Sequence, residues 1–270
     1  MRARATTSPP DFPSAVEARV KFASIGLLVQ LHNEILRAMA PHRVRIAGAA
    51  HGQLVADIGA AGRDMGRYLR GQSYRAILTR EAARAARQAA SFTSQVVGWR
   101  VPAPTASPAA FVAASWLKAE EEMDALAECM MGKLEEWLAG GAPPEALDAS
   151  LQECLDRTAS RWYAWLTLML GWLAGRVITE SYEAGGVIEA EWIDRGDERV
   201  RPAHRAMHGT VFRYGEKPPL PADKSSNGEA CYPGDDYNCR CTARIVAFRE
   251  ARAQAYSANT ATLAAPPLPL

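Results

Sequence analysis

Residues 192–212 of this 270-residue chain read WIDRGDERVRPAHRAMHGTVF, and residues 231–246 read CYPGDDYNCRCTARIV. Together the two stretches hold two histidines, three of the five cysteines and a dense set of charged residues. No other part of the sequence concentrates reactive side chains to the same degree. We therefore expect them to form a small module, and the residues before them to form a helical scaffold that carries it.

The spacing of these histidines and cysteines suits a metal site. His204 and His208 are four positions apart, so a helix would present both imidazoles on one face. Cys239 and Cys241 are two positions apart, so a strand would present both thiols on one face. If the helix packs against that face, two nitrogens and two sulfurs converge, which is the donor set of a tetrahedral structural zinc site. Cys231 lies in the same loop and is a substitute ligand.

Two other interpretations of the same residues stay open. The cysteines also suit a metal-free core, in which they pack as small apolar side chains. A His–Cys pair is also the pattern of a catalytic nucleophile, although the sequence shows no third residue to orient it. A reason for zinc is the loop over residues 215–238, because a metal would hold together a long loop that is poor in apolar side chains. Asp197 either bonds an imidazole N–H beside such a site or pairs with Arg199 in a surface turn.

These residues resemble the carboxyl-terminal signature of the phage Mu protein F-like minor head proteins. The pattern is W-I-x-x-x-D-E-R-V-R-P-x-H-x-x-M-H-G, then a proline-rich loop, then P-G-x-D-x-N-C-R-C-T, within about residues 176–246. Carried over by position, the characteristic residues of the family are Asp197, Arg199, His204, Gly209, Cys239 and Cys241.

The resemblance implies a minor capsid protein of a phage or prophage, present in a few copies in the virion head and in the host cytoplasm during assembly. It would bind portal and capsid subunits and act near the portal in head assembly, DNA packaging or DNA delivery, without enzymatic activity. Structural zinc is the one cofactor expected. Two other functions remain as alternatives. One is a metal-dependent hydrolase or toxin-like effector that uses His204, His208 and Cys241, and the other is a DNA-binding packaging factor.

Charge is distributed unevenly along the chain, whose net charge is +1. Residues 1–100 contain 15 Lys and Arg against 6 Asp and Glu, and residues 101–270 contain 16 against 24. The basic half indicates an electrostatic partner, either double-stranded DNA or the acidic half of a neighbouring copy. Two stripes at helical spacing are the candidate contacts: Arg63, Arg67 and Arg70, and then Arg80, Arg84 and Arg87. Solvated helix faces that pair with acidic neighbours are the alternative explanation.

Apolar periodicity predicts a mainly α protein, in which an elongated helical amino-terminal region precedes a small α+β module of short strands, one short helix and a long loop. Helices are expected over residues 16–39, 42–69, 78–99, 111–138, 146–182 and 202–207, and strands over 187–193, 210–214 and 240–248. The predicted organisation is a disordered leader (1–13), a basic helical region (14–100), an acidic and apolar helical region (109–185), the α+β module (186–256) and a flexible tail (257–270). The helix over 146–182 is expected to be buried on nearly all sides, because its middle is apolar throughout.

The sequence also disfavours membrane and secreted classes. The most apolar run, residues 162–175, is too short to span a bilayer. The beginning of the chain lacks the apolar core of a signal peptide, so the five cysteines are expected as thiols in a reducing compartment.

Overall fold

The structure is a computed structural model that describes residues 14–39, 73–140, 143–221, 230–236 and 239–249. Within these ranges the chain is mainly helical with a small three-stranded antiparallel sheet near its carboxyl end, which confirms the predicted fold class. The predicted leader, the predicted helix over 42–69 and the predicted tail lie outside the described residues, as do Arg63, Arg67 and Arg70. None of the described helices is long and apolar enough to cross a membrane.

Four long helices make up most of the described chain: α1 (Ser14–Met39), α2 (Ser73–Val97), α3 (Ala106–Gly140) and α4 (Pro144–Ala184). Apolar residues recur every three or four positions, so each helix buries one face; in α1 this face includes Val20, Leu28 and Ile35. α4 begins at a proline, which fits a first helical turn, and it ends before Gly186, whose positive φ of 67° stops the helix.

The structure differs from the predicted helices in three main places, and the first is α3, which begins at Ala106 rather than at residue 111. α2 begins at Ser73 rather than at residue 78, so Thr79 lies inside the helix, where its hydroxyl donates to the carbonyl of Arg75 one turn earlier. The middle of α4 is not buried on all sides: Trp162 is fully buried, but its neighbour Tyr163 is 48% exposed. The Lys21 ammonium lies 4.0 Å from the centre of the Tyr163 ring, a cation–π contact that suits a half-exposed aromatic residue.

The chain divides into two compact units. The helical unit takes its described residues from 12–85 and 105–173, and the sheet unit takes them from 86–104 and 174–270. The division passes through α2 and α4, so each of these two helices contributes residues to both units.

The helical unit buries charged side chains as well as apolar ones. In it α1 contacts α3. The Glu122 carboxylate of α3 is buried and accepts hydrogen bonds from Arg161 at 3.0 and 2.9 Å, and the Lys118 ammonium lies 2.9 Å away. A disulfide joins Cys129 of α3 to Cys154 of α4. The prediction that all five cysteines are thiols is therefore wrong for these two. The disulfide links two helices that are consecutive in the sequence.

The sheet unit is built on three strands in the order β2–β1–β3, with both pairs antiparallel. The strands are β1 (Val187–Ile193), β2 (Val211–Arg213) and β3 (Thr242–Phe248). Ala190 of β1 lies opposite Phe212 on one side and Ile245 on the other, and all three are buried. Every second residue of β3 is buried, which is the period-two pattern of a strand with one face in the core.

Aromatic side chains and one close backbone approach hold the sheet unit together. Trp192 and Tyr182 are fully buried in its core, and the Tyr182 hydroxyl donates to the carbonyl of Ala243 in β3 at 3.0 Å. A Cβ placed on Gly175 of α4 would lie 2.6 Å from the carbonyl carbon of Gly234. Glycine at position 175 therefore allows the loop before β3 to lie directly on the helix.

Candidate metal centre

A short helix places His204 against the end of β1. This helix, α5, spans Pro202–Ala206, and its first residue is a proline, which suits a helix start. The His204 ring packs edge-on against Trp192, with 5.5 Å between ring centres. The N–H of Gly209 donates to the carbonyl of Trp192 at 2.9 Å and ties the residues after α5 to the same strand. These contacts fix the position of the imidazole within the sheet unit.

The two candidate cysteines lie just before β3 and not within it, so their predicted place on a strand is wrong. The N–H of Cys239 donates to the carbonyl of Asp236 at 3.0 Å, which forms a turn, and the strand begins only at Thr242. The N–H groups of Gly234 and Cys241 both donate to the sulfur of Cys239 at 3.4 Å. The backbone of the loop therefore wraps around this sulfur.

His204, Cys239 and Cys241 converge on one point. The Nδ1 atom of His204 lies 3.1 Å from the sulfur of Cys239 and 3.8 Å from the sulfur of Cys241. One possible ligand atom from each residue lies within 4.8 Å of the others, and all three side chains are buried. The fold thus brings together three of the four side chains that the sequence suggested as metal ligands, and we call this group the His–Cys cluster.

A carboxylate that the sequence analysis missed orients the imidazole. The Oδ2 atom of Asp236 lies 2.9 Å from Nε2 of His204 and 2.8 Å from the guanidinium of Arg201. A carboxylate at one ring nitrogen fixes the histidine tautomer and leaves the other nitrogen able to act as a ligand. The signal was present in the sequence, because Asp236 is the acidic residue of P-G-x-D-x-N-C, three positions before Cys239.

Asp197, the expected partner of an imidazole, has a different role. Its Oδ1 atom accepts a hydrogen bond from the Arg240 guanidinium at 2.7 Å and another from the backbone N–H of Arg199 at 3.1 Å. The bond from Arg240 lowers the pKa of the Asp197 carboxyl. The geometry is that of a surface turn, in which Arg240 rather than the side chain of Arg199 is the ion-pair partner.

Among the described residues, His208 and Cys231 are not part of the His–Cys cluster. α5 ends at Ala206, so a spacing of four residues no longer places His208 on one helix face with His204. The His208 side chain is 52% exposed, and its Nδ1 atom accepts the backbone N–H of Asp194 at 3.2 Å. Cys231 is buried, and burial raises the pKa of its thiol to about 12.

The electrostatics of the His–Cys cluster favour a negative charge on Cys239. The hydrogen bond from the Cys241 thiol, together with one from His204, lowers the pKa of Cys239 although this residue is buried. The pKa of Cys241 is raised, because its thiol donates to Cys239 and is itself buried. Burial acts against a charged imidazole, but the hydrogen bond to Cys239 and its negative charge raise the pKa of His204 overall. An imidazole and two sulfurs are donors that suit zinc.

The arginine stripe of α2 is partly neutralised. The guanidinium groups of Arg80 and Arg84 lie 3.0 and 3.7 Å from the carboxylate of Glu81, which is buried. Arg87 is exposed, and it has no ion pair with any residue that the structure describes. Pairing with an acidic neighbour therefore accounts for two of the three arginines.

An open cavity of about 280 Å³ lies elsewhere in the sheet unit, beside the start of β1. Trp99, Glu183, Tyr214 and Arg249 line it, together with the backbone around Gly186. No member of the His–Cys cluster contributes to the wall of this cavity. The His–Cys cluster therefore does not line this cavity.

The fold and the site define a class of protein: a helical chain that carries a small sheet unit with buried imidazole and thiol groups. Residues 134–244 match the family model described as phage Mu protein F like protein. The resemblance inferred from the two histidine- and cysteine-bearing stretches is confirmed: residues 134–244 of the chain are similar to the phage Mu protein F-like family. The match begins within α3 and includes all of α4, so it extends further upstream than the residues that carried the resemblance. No curated protein and no solved structure matched the chain.

Proposed function

We propose that the chain is a minor capsid protein that acts in phage head morphogenesis near the portal. The observation that carries the proposal is the family match over residues 134–244, which includes every residue of the His–Cys cluster. In this role the protein binds portal and capsid subunits, resides in the virion head, and passes through the host cytoplasm during assembly. Its contribution is to head assembly, to DNA packaging or to DNA delivery.

The burial of the His–Cys cluster supports a structural role over the hydrolase or toxin-like alternative. His204 is 1% exposed and Cys241 is 7% exposed. A hydrolytic nucleophile or metal must meet a substrate in an accessible cleft, whereas a closed site contributes to folding. His208, the third residue of the hydrolase hypothesis, is bonded to the backbone of Asp194 rather than to the sulfur of Cys241.

A complementation experiment in a phage or prophage that encodes this chain tests the proposal. Without the gene, the titre of infectious particles should fall, and heads in the lysate should be incomplete or empty. The full chain supplied in trans should restore the titre, and mass spectrometry of purified virions should detect it together with the portal protein. Normal titre and normally filled heads without the gene would overturn the proposal.

Two variants make the experiment specific for the sheet unit. Gly175→Leu forces α4 away from the loop before β3 and should fail to complement, because a side chain at this position meets the Gly234 backbone. His208→Ala changes an exposed residue outside the His–Cys cluster and should complement as well as the parent chain. Equal titres from both variants would show that the sheet unit is dispensable in assembly.

A further inference from the structure

We propose that His204, Cys239 and Cys241 bind one zinc ion through Nδ1 and the two sulfurs, with Asp236 as the residue that positions the imidazole. The site goes beyond the role in head morphogenesis, because it does not depend on which subunits the chain contacts. It also differs from the ligand set expected from spacing, since it excludes His208 and gives Asp236 the supporting role expected of Asp197.

The separation of the three donor atoms fits a tetrahedral metal. With Zn–S bonds of about 2.3 Å and Zn–N bonds of about 2.0 Å, two ligands of a tetrahedral ion lie roughly 3.5 Å apart. The distances from Nδ1 of His204 to the sulfurs of Cys239 and Cys241 are 3.1 and 3.8 Å, on either side of this value. A metal therefore fits between them with small rotations of the side chains.

The surroundings of His204 direct its inner nitrogen towards the sulfurs. Nε2 lies 2.9 Å from Asp236, and Asp236 is held in turn by Arg201 at 2.8 Å. With the ring proton on Nε2, the lone pair of Nδ1 faces Cys239 and Cys241. A carboxylate that holds the outer nitrogen of a ligand histidine is a general feature of zinc sites.

The loop before β3 is shaped to support a thiolate at Cys239. The backbone N–H groups of Gly234 and Cys241 donate to this sulfur at 3.4 Å, and hydrogen bonds to an ionised acceptor are the stronger ones. Gly234 adopts a positive φ of 90° to do so, and it lies against Gly175 with no space for a Cβ between them. The backbone can adopt this arrangement because both Gly175 and Gly234 lack a side chain.

The described part of the chain supplies three side-chain ligands. His208 is bonded to the backbone of Asp194, and Cys231 is not within the group of ligand atoms that lie 4.8 Å or less from one another. The fourth position of the zinc ion takes a water molecule or another small ligand. Three protein ligands with one open position also occur at catalytic zinc sites, but here all three ligands are buried away from a substrate, so the metal joins the loop before β3 to α5 and stabilises the sheet unit.

Metal binding by the folded full-length chain tests the site. The chain, with its thiols outside the disulfide reduced and counted by titration, should bind about one Zn²⁺ by elemental analysis. Co²⁺ in place of zinc should give a thiolate-to-metal absorption band. Cys241→Ser and His204→Ala should lose the metal, and Asp236→Asn should keep the stoichiometry but weaken the affinity by roughly 10- to 100-fold.

The chain offers matched controls of the same residue types. His208→Ala and Cys231→Ser should bind zinc with the affinity of the parent chain. If a ligand variant does not fold, two measurements on the parent chain decide whether the cysteines bind metal. These are the thiolate-to-cobalt absorption band and the zinc affinity measured in competition with a coloured chelator. A folded chain with reduced thiols that binds neither metal would overturn the proposal, as would loss of the metal in His208→Ala. Unchanged affinity in Asp236→Asn would remove the positioning role of that residue.

Discussion

Each of the two units contains a buried cluster of polar side chains, around Glu122 in one and around His204 in the other, and the two clusters differ in composition. In the helical unit the buried carboxylate of Glu122 meets Arg161 and Lys118, so the opposite charge comes from the same unit. In the sheet unit the groups that meet are the imidazole of His204 and two sulfurs, and all of them donate electron pairs. Ion pairing satisfies the first arrangement, whereas the zinc ion that we propose would stabilise the second.

The cysteines show the same contrast. Cys129 and Cys154 are 25 positions apart and form a disulfide between two consecutive helices of the helical unit. Cys239 and Cys241 are free thiols that face His204 in the sheet unit. One pair of cysteines acts as a covalent link, and the other is the pair that we propose as zinc ligands.

The largest effect is expected from Gly175→Leu in the sheet unit. A side chain there collides with the backbone of Gly234, which cannot rotate away as a side chain would, so stability should fall by roughly 4 kcal/mol or more. Denaturant unfolding followed by Trp fluorescence measures the change. Gly132→Ala in α3 is the control, because a Cβ at that position meets nothing within 4 Å. The control should gain up to about 1 kcal/mol from helix propensity. Similar losses in both variants would contradict the close approach at Gly175.

A smaller effect is expected from opening the disulfide of the helical unit. Cys129→Ser should lower the free energy of unfolding by about 3 kcal/mol, because the unfolded chain regains the freedom of the closed loop. A reductant should destabilise the parent chain to a similar extent and leave the stability of the variant unchanged. A parent chain that is insensitive to reductant would show that this link does not contribute to stability.

The ion pair of the helical unit should contribute less, and its contribution should depend on pH. Glu122→Gln is expected to cost about 1–2 kcal/mol near neutral pH, since the Arg161 side chain is 52% exposed and stays hydrated. Burial acts to raise the pKa of Glu122, but the bonds from Arg161 and Lys118 hold it below its ordinary value of 4.5.

The unfolded state therefore binds a proton at a higher pH than the folded state does. The contribution of Glu122 is complete above about pH 4.5 and is lost as the pH falls through the lower pKa of the folded state. Urea unfolding of the parent and Glu122→Gln at neutral and acidic pH measures this change. A difference that stayed constant down to the lowest pH at which both chains fold would contradict the ion pair.

The smallest effect concerns duplex DNA, the partner in the packaging-factor hypothesis. Arg87→Ala should reduce the slope of log affinity against log salt by about 1, because this arginine is exposed and can neutralise one phosphate. Arg80→Ala and Arg84→Ala should change the slope less, since both side chains lie beside the Glu81 carboxylate. Equal effects from all three arginines would show that Glu81 does not neutralise its neighbours, and a chain that binds no duplex would remove DNA from its partners.

The sequence predicted the elements that repeat a pattern over many residues. The period-two alternation over residues 187–193 gave β1 with its observed bounds, and the long helices follow from apolar periodicity. The site was harder to predict, because it depends on where short elements stop. α5 ends at Ala206, and the hydrogen bond from the N–H of Gly209 to the carbonyl of Trp192 is a tertiary contact. The spacing of residues in the sequence does not reveal either feature.

The same reason explains why Asp236 was missed. Its carboxylate reaches His204 because the chain turns between Asp236 and Cys239, and this turn also keeps the two cysteines out of β3. A strand that included both Cys239 and Cys241 would instead have placed both thiols on one sheet face. Local pattern therefore identified the residues that converge, and the tertiary contacts decided which atoms face one another.

Hydrogen exchange read by mass spectrometry, with zinc and after chelation, tests the contrast between the two units most directly. With zinc removed, peptides from residues 200–221 and 230–249 should exchange faster, while peptides from α3 should keep their protection, because the His–Cys cluster lies only in the sheet unit. Protection that is unchanged in the sheet unit, or lost equally in α3, would contradict the account.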